Sequence, residues 1–139
     1  MKDLIVYTDG GARGNPGPAA IGVYITDVSC TEVVSLARKI GKTTNNVAEY
    51  QAVLEALLWI KNNLKERPQR ISFFLDSNLV VNQLNGVFKI KQPHLANFVF
   101  KIKALEKEVA ENISYSYIPR EKNKIADSLV NKTLNSLID

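Results

Sequence analysis

Two short apolar runs, Leu4-Ile5-Val6-Tyr7-Thr8-Asp9 and Ile71-Ser72-Phe73-Phe74-Leu75-Asp76, constrain this chain more than any other feature. Both are rich in strand formers, and both are apolar on the two faces that alternate residues present. Strands read this way when helices cover both sides of a sheet. Each run ends in an aspartate. If the two strands are parallel neighbours, their C-terminal ends lie about 5 Å apart. Two acids would then meet at the carboxyl edge of an open α/β sheet, where such sheets form ligand crevices.

The rest of the chain supplies what must cover those strands. Gly10 to Pro18 is dense in Gly and Pro and reads as a loop. Ala19 to Thr26 and Glu32 to Ile40 read as two more strands, joined as a hairpin through Asp27-Val28-Ser29-Cys30. The apolar period then changes. Between Asn46 and Asn63, Val47, Tyr50, Leu54, Leu57 and Leu58 recur at helical spacing, with Thr44 or Asn45 placed to cap and Pro68 closing the segment. Ser77 to Leu84 reads as a short helix stopped near Gly86, and His94 to Glu111 as a longer one. Ile113 to Ile118 alternates as a strand, and Ala126, Leu129, Val130, Thr133, Leu134 and Leu137 form the stripe of a terminal helix. The order β-β-β-α-β-α-α-β-α predicts an α/β fold, a mixed sheet flanked by helices. No repeat, low-complexity tract or linker interrupts it, so residues 1–139 are expected to form a single domain.

Composition narrows the function classes. With 45% hydrophobic and 23% charged residues, the chain reads as a soluble globular protein. Cys30 is the only cysteine, which excludes an internal disulfide and a cysteine metal cluster and suits a reducing, cytoplasmic setting. The chain has no apolar run long enough to span a membrane and no signal-peptide core, so no membrane partner is expected. Its 18 Lys+Arg against 14 Asp+Glu give a net charge of +4, which is compatible with a polyanion but weak evidence alone.

Two further acids lie within reach of the sheet edge. Glu49 is expected in the first turn of its helix, one turn ahead of Val53, and Asp127 sits beside Ala126 and Val130 at the start of the last helix. Close carboxylates repel, and need protons or cations to coexist. Oxygen ligands without Cys or His favour Mg²⁺ or Mn²⁺. Two such ions about 4 Å apart can activate a water and stabilise the leaving oxygen of a phosphodiester. Taken singly, each acid has a plainer role. Acids in a first helical turn complement the dipole, and an Asp after a strand often opens a turn. Spacing alone leaves both readings open.

Four segments carry a resemblance that bears on the choice. Tyr7-Thr8-Asp9-Gly10-Gly11-Ala12-Arg13-Gly14-Asn15-Pro16-Gly17-Pro18 resembles the opening motif of type 1 ribonuclease H. Thr43 to Tyr50, Leu75 to Val81 and Asn123 to Asp127 resemble the family's remaining motifs, in family order and across essentially the whole chain. The resemblance implies a ribonuclease H-like fold, with a five-stranded mixed sheet whose second strand is antiparallel. It also implies endonucleolytic hydrolysis of the RNA strand of RNA–DNA hybrids, leaving a 3′-hydroxyl and a 5′-phosphate. Asp9, Glu49, Asp76 and Asp127 become the catalytic metal ligands for two Mg²⁺ ions, with Mn²⁺ as substitute. Asp9 would bridge both ions, Glu49 and Asp76 would hold the one nearer the leaving group, and Asp127 the one that activates water.

The flanking residues fit substrate contacts. Gly11, Gly14 and Asn15 are expected in a loop whose glycines permit close backbone approach, suited to 2′-hydroxyls in a wide, shallow minor groove. Asn45 and Asn46 carry amides that can donate and accept at base edges, or simply cap the helix. Lys42 and Thr44 match the family's pocket for a DNA-strand phosphate, although a solvated lysine is an equally ordinary reading of Lys42. Ser77, beside Asp76 in the third motif, completes the substrate-binding set.

Two segments depart from the family. Many members carry a His in a Gly-containing loop before the final Asp, but here Ile118-Pro119-Arg120-Glu121-Lys122-Asn123 is shorter and has none. Arg120 stands nearest. A guanidinium cannot shuttle protons, so its expected part is electrostatic, in substrate or product handling. After the third motif, the basic Trp-bearing handle of some members is replaced by Asn85 to Pro93, with Lys89 and Lys91 alternating as on an extended strand and Phe88 as a stacking platform. This handle-less pattern resembles archaeal and some bacterial members, and opens double-stranded RNA as a second substrate. A non-catalytic binding module is the rival from another class, disfavoured because bare carboxylates repel phosphate. The ends of the chain fit a free-standing enzyme, expected as a monomer, better than a piece of a reverse transcriptase.

Overall fold

The computed structural model describes residues 3–136. Three strands come first, β1 (Leu4–Ala12), β2 (Gly17–Asp27) and β3 (Glu32–Thr43). Then follow α1 (Asn45–Asn63), β4 (Arg70–Leu75), α2 (Asn78–Leu84), α3 (Pro93–Val109), β5 (Asn112–Tyr117), a 3-10 turn (Arg120–Lys122) and α4 (Lys124–Asn135). The five strands form one sheet in the order β3-β2-β1-β4-β5. β2 runs antiparallel to β1 and β3, whereas β1, β4 and β5 are parallel. The expected α/β fold, element order and antiparallel second strand are all present.

The two apolar runs are the adjacent central strands, paired from Leu4↔Ile71 to Thr8↔Leu75. One face of the sheet carries the main core, where Val6, Ile21, Val23, Ile25 and Phe73 pack against Tyr50, Val53, Leu57 and Ile60 of α1 and Ile102 of α3. On the other face α4 lays Val130 and Leu134 against Ala20 of β2. Beside α4 that face carries a half-buried aromatic row. Tyr7 stacks on Phe74 at 5.6 Å and lies 6.1 Å from Tyr24.

Several boundaries differ from the sequence reading, each because pairing extends a strand through residues that punctuate a chain. β1 continues past Asp9 to Ala12 by pairing with β2 down to Ala12↔Ala19, so Gly11 is a strand residue and only Arg13 to Pro16 form the loop. β3 likewise runs through Gly41 to Thr43, which places Lys42 on the strand opposite Pro18. Val87 to Gln92 forms no strand, and the alternation of Lys89 and Lys91 has no sheet behind it. Leu137, the last position of the terminal stripe, lies outside the described residues.

Candidate active site

The site forms where β1 and β4 part. Thr8↔Leu75 is their last pair, and Asp9 and Asp76 are the next residue on each strand. β1 stays in the sheet at that point through Asp9↔Gly22, so Asp9 is held by a continuing strand while Asp76 follows the end of β4. The acids therefore face a gap in the ladder.

Glu49 arrives from α1. The helix starts at Asn45, capped by the Thr44 hydroxyl, which accepts from Val47 N; Glu49 therefore lies in the second turn, not the first as expected. A role complementing the helix dipole weakens accordingly, because that effect fades beyond the first turn. Glu49 reaches β1 because residue 10 is glycine. A Cβ there would sit 2.2 Å from the Ala48 carbonyl carbon, and without it the Gly10 N–H donates to Glu49 Oε1 at 3.2 Å. Glu49 Oε2 is buried and has no hydrogen-bond partner.

Ligand atoms of Asp9, Glu49 and Asp76 all lie within 4.8 Å of one another. Asp127, in the first turn of α4, stands beside this trio rather than in it. It lies close enough for its charge to raise both Asp9 and Asp76, and it accepts from Asn131 Nδ2 at 3.2 Å. All four predicted carboxylates thus converge from β1, α1, the end of β4 and α4.

Burial dominates their electrostatics. Loss of solvent, together with the charges of Asp76 and Asp127, raises the Asp9 carboxyl to about 7, against an opposing hydrogen bond with Glu49. Glu49 is pushed well above the usual carboxylate range, first by burial and then by the Asp9 charge. Asp76 is raised by burial, while the Asn123 amide and the Arg120 guanidinium pull it back. Such acids repel while ionised and bare, and Glu49 Oε2 has no donor. A divalent cation satisfies both conditions, and an all-oxygen donor set suits Mg²⁺ or Mn²⁺. The residues fit the group.

The substrate-binding candidates fall around this cluster. Asn45 and Asn15 clamp the loop to the start of α1, since Asn45 N donates to Asn15 Oδ1 at 3.0 Å and Ala12 N donates to Asn45 Oδ1 at 2.9 Å. Both side-chain oxygens are thereby occupied, and their NH₂ groups remain as the polar ends of two exposed residues. Gly14 has a φ of +99°, which a β-carbon would strain. Gly11 lies on β1, where a Cβ would contact Val130 of α4 at 3.5 Å. Asn46 lines a 240 Å³ hollow with Leu79, Gln83, Lys89, Lys91 and Leu95. Lys42 is exposed on β3, Thr44 caps α1, and Ser77 caps α2 by accepting from Val80 N. Arg120, exposed on the 3-10 turn, lies near enough to Asp76 to lower its pKa.

Sequence reading missed Asn123, which is 1% exposed and donates to Thr8 O at 2.9 Å and to Asp76 Oδ2 at 3.1 Å. The signal was an Asn immediately before a helix, a position at which Asn ordinarily caps. It also missed the buried bond from the Tyr50 hydroxyl to Gln83 Oε1, which ties α1 to α2.

Known proteins are similar to this chain in sequence and fold. A family model described as reverse transcriptase-like matches residues 7–133. The bifunctional protein Rv2228c of Mycobacterium tuberculosis is 34% identical over 134 residues, which are 96% of this chain but 36% of that protein's length. The ribonuclease HI of Halobacterium salinarum is 35% identical over 130 residues, 93% of this chain and 63% of its own. The crystal structure of LC11-RNase H1 in complex with RNA/DNA hybrid superposes with a TM-score of 0.93 at 43% identity, covering 98% of this chain and 99% of that one. Similarity along nearly the whole of this chain agrees with the four converging carboxylates, and the chain belongs to the ribonuclease H family.

Proposed function

We propose that this protein is a type 1 ribonuclease H, an endonuclease that hydrolyses the RNA strand of RNA–DNA hybrids and leaves a 3′-hydroxyl and a 5′-phosphate. The observation that carries the reading is the carboxylate trio at the parting of β1 and β4, with ligand atoms within 4.8 Å of one another. Asp9, Glu49, Asp76 and Asp127 would hold Mg²⁺, or Mn²⁺ in its place, which supplies activation of water and charge stabilisation at the leaving oxygen when bound.

The chain's own residues orient the substrate. Gly14, with its positive φ, shapes the β1–β2 loop, and the Gly11 backbone on β1 is offered to the minor groove. The NH₂ groups of Asn15 and Asn45, fixed by their mutual clamp, face acceptors on the substrate, with Asn46 beside them. Lys42 and Thr44 offer a charge and a hydroxyl to a phosphate of the DNA strand. Ser77 fixes α2 beside Asp76, and Arg120 attracts a phosphate at the Asp76 side of the site. One chain carries every part of the site, which supports a monomer. The lone, exposed Cys30 supports a reducing, cytoplasmic setting. Among the described residues no helix is long and apolar enough to cross a membrane.

The chemistry of the product ends tests this reading. RNA fragments from a cleaved hybrid should be degraded by a 5′-phosphate-dependent exonuclease and extended by a polymerase from their 3′ ends. Fragments with 5′-hydroxyl and 2′,3′-cyclic phosphate ends would instead mean attack by the ribose 2′-hydroxyl, and the proposal would fall.

A further inference from the structure

Asn123 occupies the N-cap position of α4 without capping it: its side chain bonds to none of the helix's first amides. It turns inward, almost wholly buried, and its Nδ2 donates to two oxygens, Thr8 O at 2.9 Å and Asp76 Oδ2 at 3.1 Å. Thr8 ends the β1–β4 ladder, so its carbonyl lies where the strands part. The Asn123 backbone carbonyl meanwhile accepts from Asp127 N at 3.1 Å, in the first turn of α4. One residue therefore touches the strand that carries Asp9, the Asp76 carboxylate and the backbone of Asp127.

The orientation of the amide is fixed by its surroundings. With both N–H hydrogens directed at oxygens, flipping the group would set Oδ1 against the Thr8 carbonyl and the Asp76 carboxylate. As it stands, Oδ1 is buried with no partner. An unpartnered buried oxygen costs stability, and a residue needed only to fill space would not require it.

We propose that Asn123 is a positioning residue for the metal centre, holding the Asp76 carboxylate at a fixed distance from Asp9 and Asp127 so that the site is set before an ion binds. A carboxylate hydrogen-bonded behind its metal-facing side keeps its orientation, and removing such a partner typically costs about 10- to 100-fold in metal affinity or activity. The inference rests on the nuclease reading only for its activity arm.

Three variants decide it: Asn123→Ala, Asn123→Leu, which fills about the same volume but lacks the donor, and Leu134→Ala, which removes a buried side chain of α4 far from Asn123. Each is checked for folding by circular dichroism. Mn²⁺ binding without substrate is followed by electron paramagnetic resonance of the free ion, and turnover on an RNA–DNA hybrid is split into kcat and KM. Asn123→Ala should bind Mn²⁺ about tenfold more weakly and lose kcat by tenfold or more, with KM for the hybrid within about threefold. Raising the metal concentration should restore part of kcat. Leu134→Ala should keep Mn²⁺ affinity and kcat within about twofold, unlike a residue that acts through the metal site. A folded Asn123→Ala that binds Mn²⁺ as wild type does would overturn the proposal, as would equal losses in Leu134→Ala. Failure of both Asn123 variants to fold would also overturn it, making the residue a structural one, and so would a wild type that binds no Mn²⁺. If the wild type binds Mn²⁺ but cuts no hybrid, the nuclease reading falls and the binding arm still decides the role of Asn123.

Discussion

Asp9 shows how much the site costs the fold. It is 6% exposed and its carboxyl is raised from 3.8 to about 7, chiefly by burial. The folded state therefore keeps a proton that the unfolded chain releases, and Asp9's contribution to stability declines as pH rises from about 4 through 7. Asp9→Asn removes that decline. In EDTA the variant should be more stable than wild type at pH 8, by on the order of 4 kcal/mol at about 1.4 kcal/mol per pH unit, and the gap should close toward pH 4. Saturating Mg²⁺ should stabilise wild type and barely move the variant, which should be inactive. A wild type that melts above Asp9→Asn at pH 8 in EDTA would show that burial and the neighbouring charges do not raise Asp9 as described. Arg120 works in the opposite sense, drawing Asp76 back toward its ionised form. Arg120→Ala should lower turnover or hybrid affinity severalfold, and kinetics unchanged in both respects would remove Arg120 from the site.

Among the elements, the glycines decide how close the helices come. Gly22 pairs with Asp9 across β1 and β2, and a Cβ there would lie 2.5 Å from the Ala126 carbonyl oxygen. Gly22→Ala must push α4 outward at the turn that carries Asp127. It should cost about 1–3 kcal/mol by overpacking, and it should lower kcat by at least about tenfold because displacements near 1 Å are that expensive in a preorganised site. Calorimetry and single-turnover kinetics would measure the two effects, and a destabilised variant with full activity would show that α4 need not be close. Such contacts were not legible in the sequence. The two apolar strands that lead to Asp9 and Asp76 and the stripe of α4 were, because apolar periodicity reports burial directly, and the antiparallel β2 followed from the family resemblance. The extension of β1 through Gly10 and Gly11 was not, since a run dense in Gly and Pro reads locally as a turn and only pairing with β2 makes it a strand. The inward turn of Asn123 was hidden for the same reason: a residue before a helix looks like a cap until its tertiary partners are known.

For the whole molecule, the proposed function requires the acidic site to attract a polyanion, and a net charge of +4 does little at long range. The local cations have to serve. Lys89 and Lys91 flank the hollow that Asn46 enters, on a connector with no strand or helix to hold it. Replacing both with Ala should weaken hybrid binding uniformly across sequences and reduce the dependence of log K on log[salt] by about 1 to 2, while leaving kcat near wild type. An unchanged salt dependence, read from binding titrations at several ionic strengths, would make them ordinary solvated lysines. The most direct test of the account uses end-labelled 20-mer duplexes of RNA–DNA, RNA–RNA and DNA–DNA with wild type and Asp76→Asn, each in Mg²⁺, Mn²⁺ or EDTA. The predicted result is metal-dependent cutting of the RNA strand of the hybrid alone, abolished in the variant; cutting of RNA–RNA as well would mean that the missing handle has widened the substrate range. Intact hybrid after incubation with folded, hybrid-binding wild type in either metal would contradict it, and would make the chain a binding module that kept the fold.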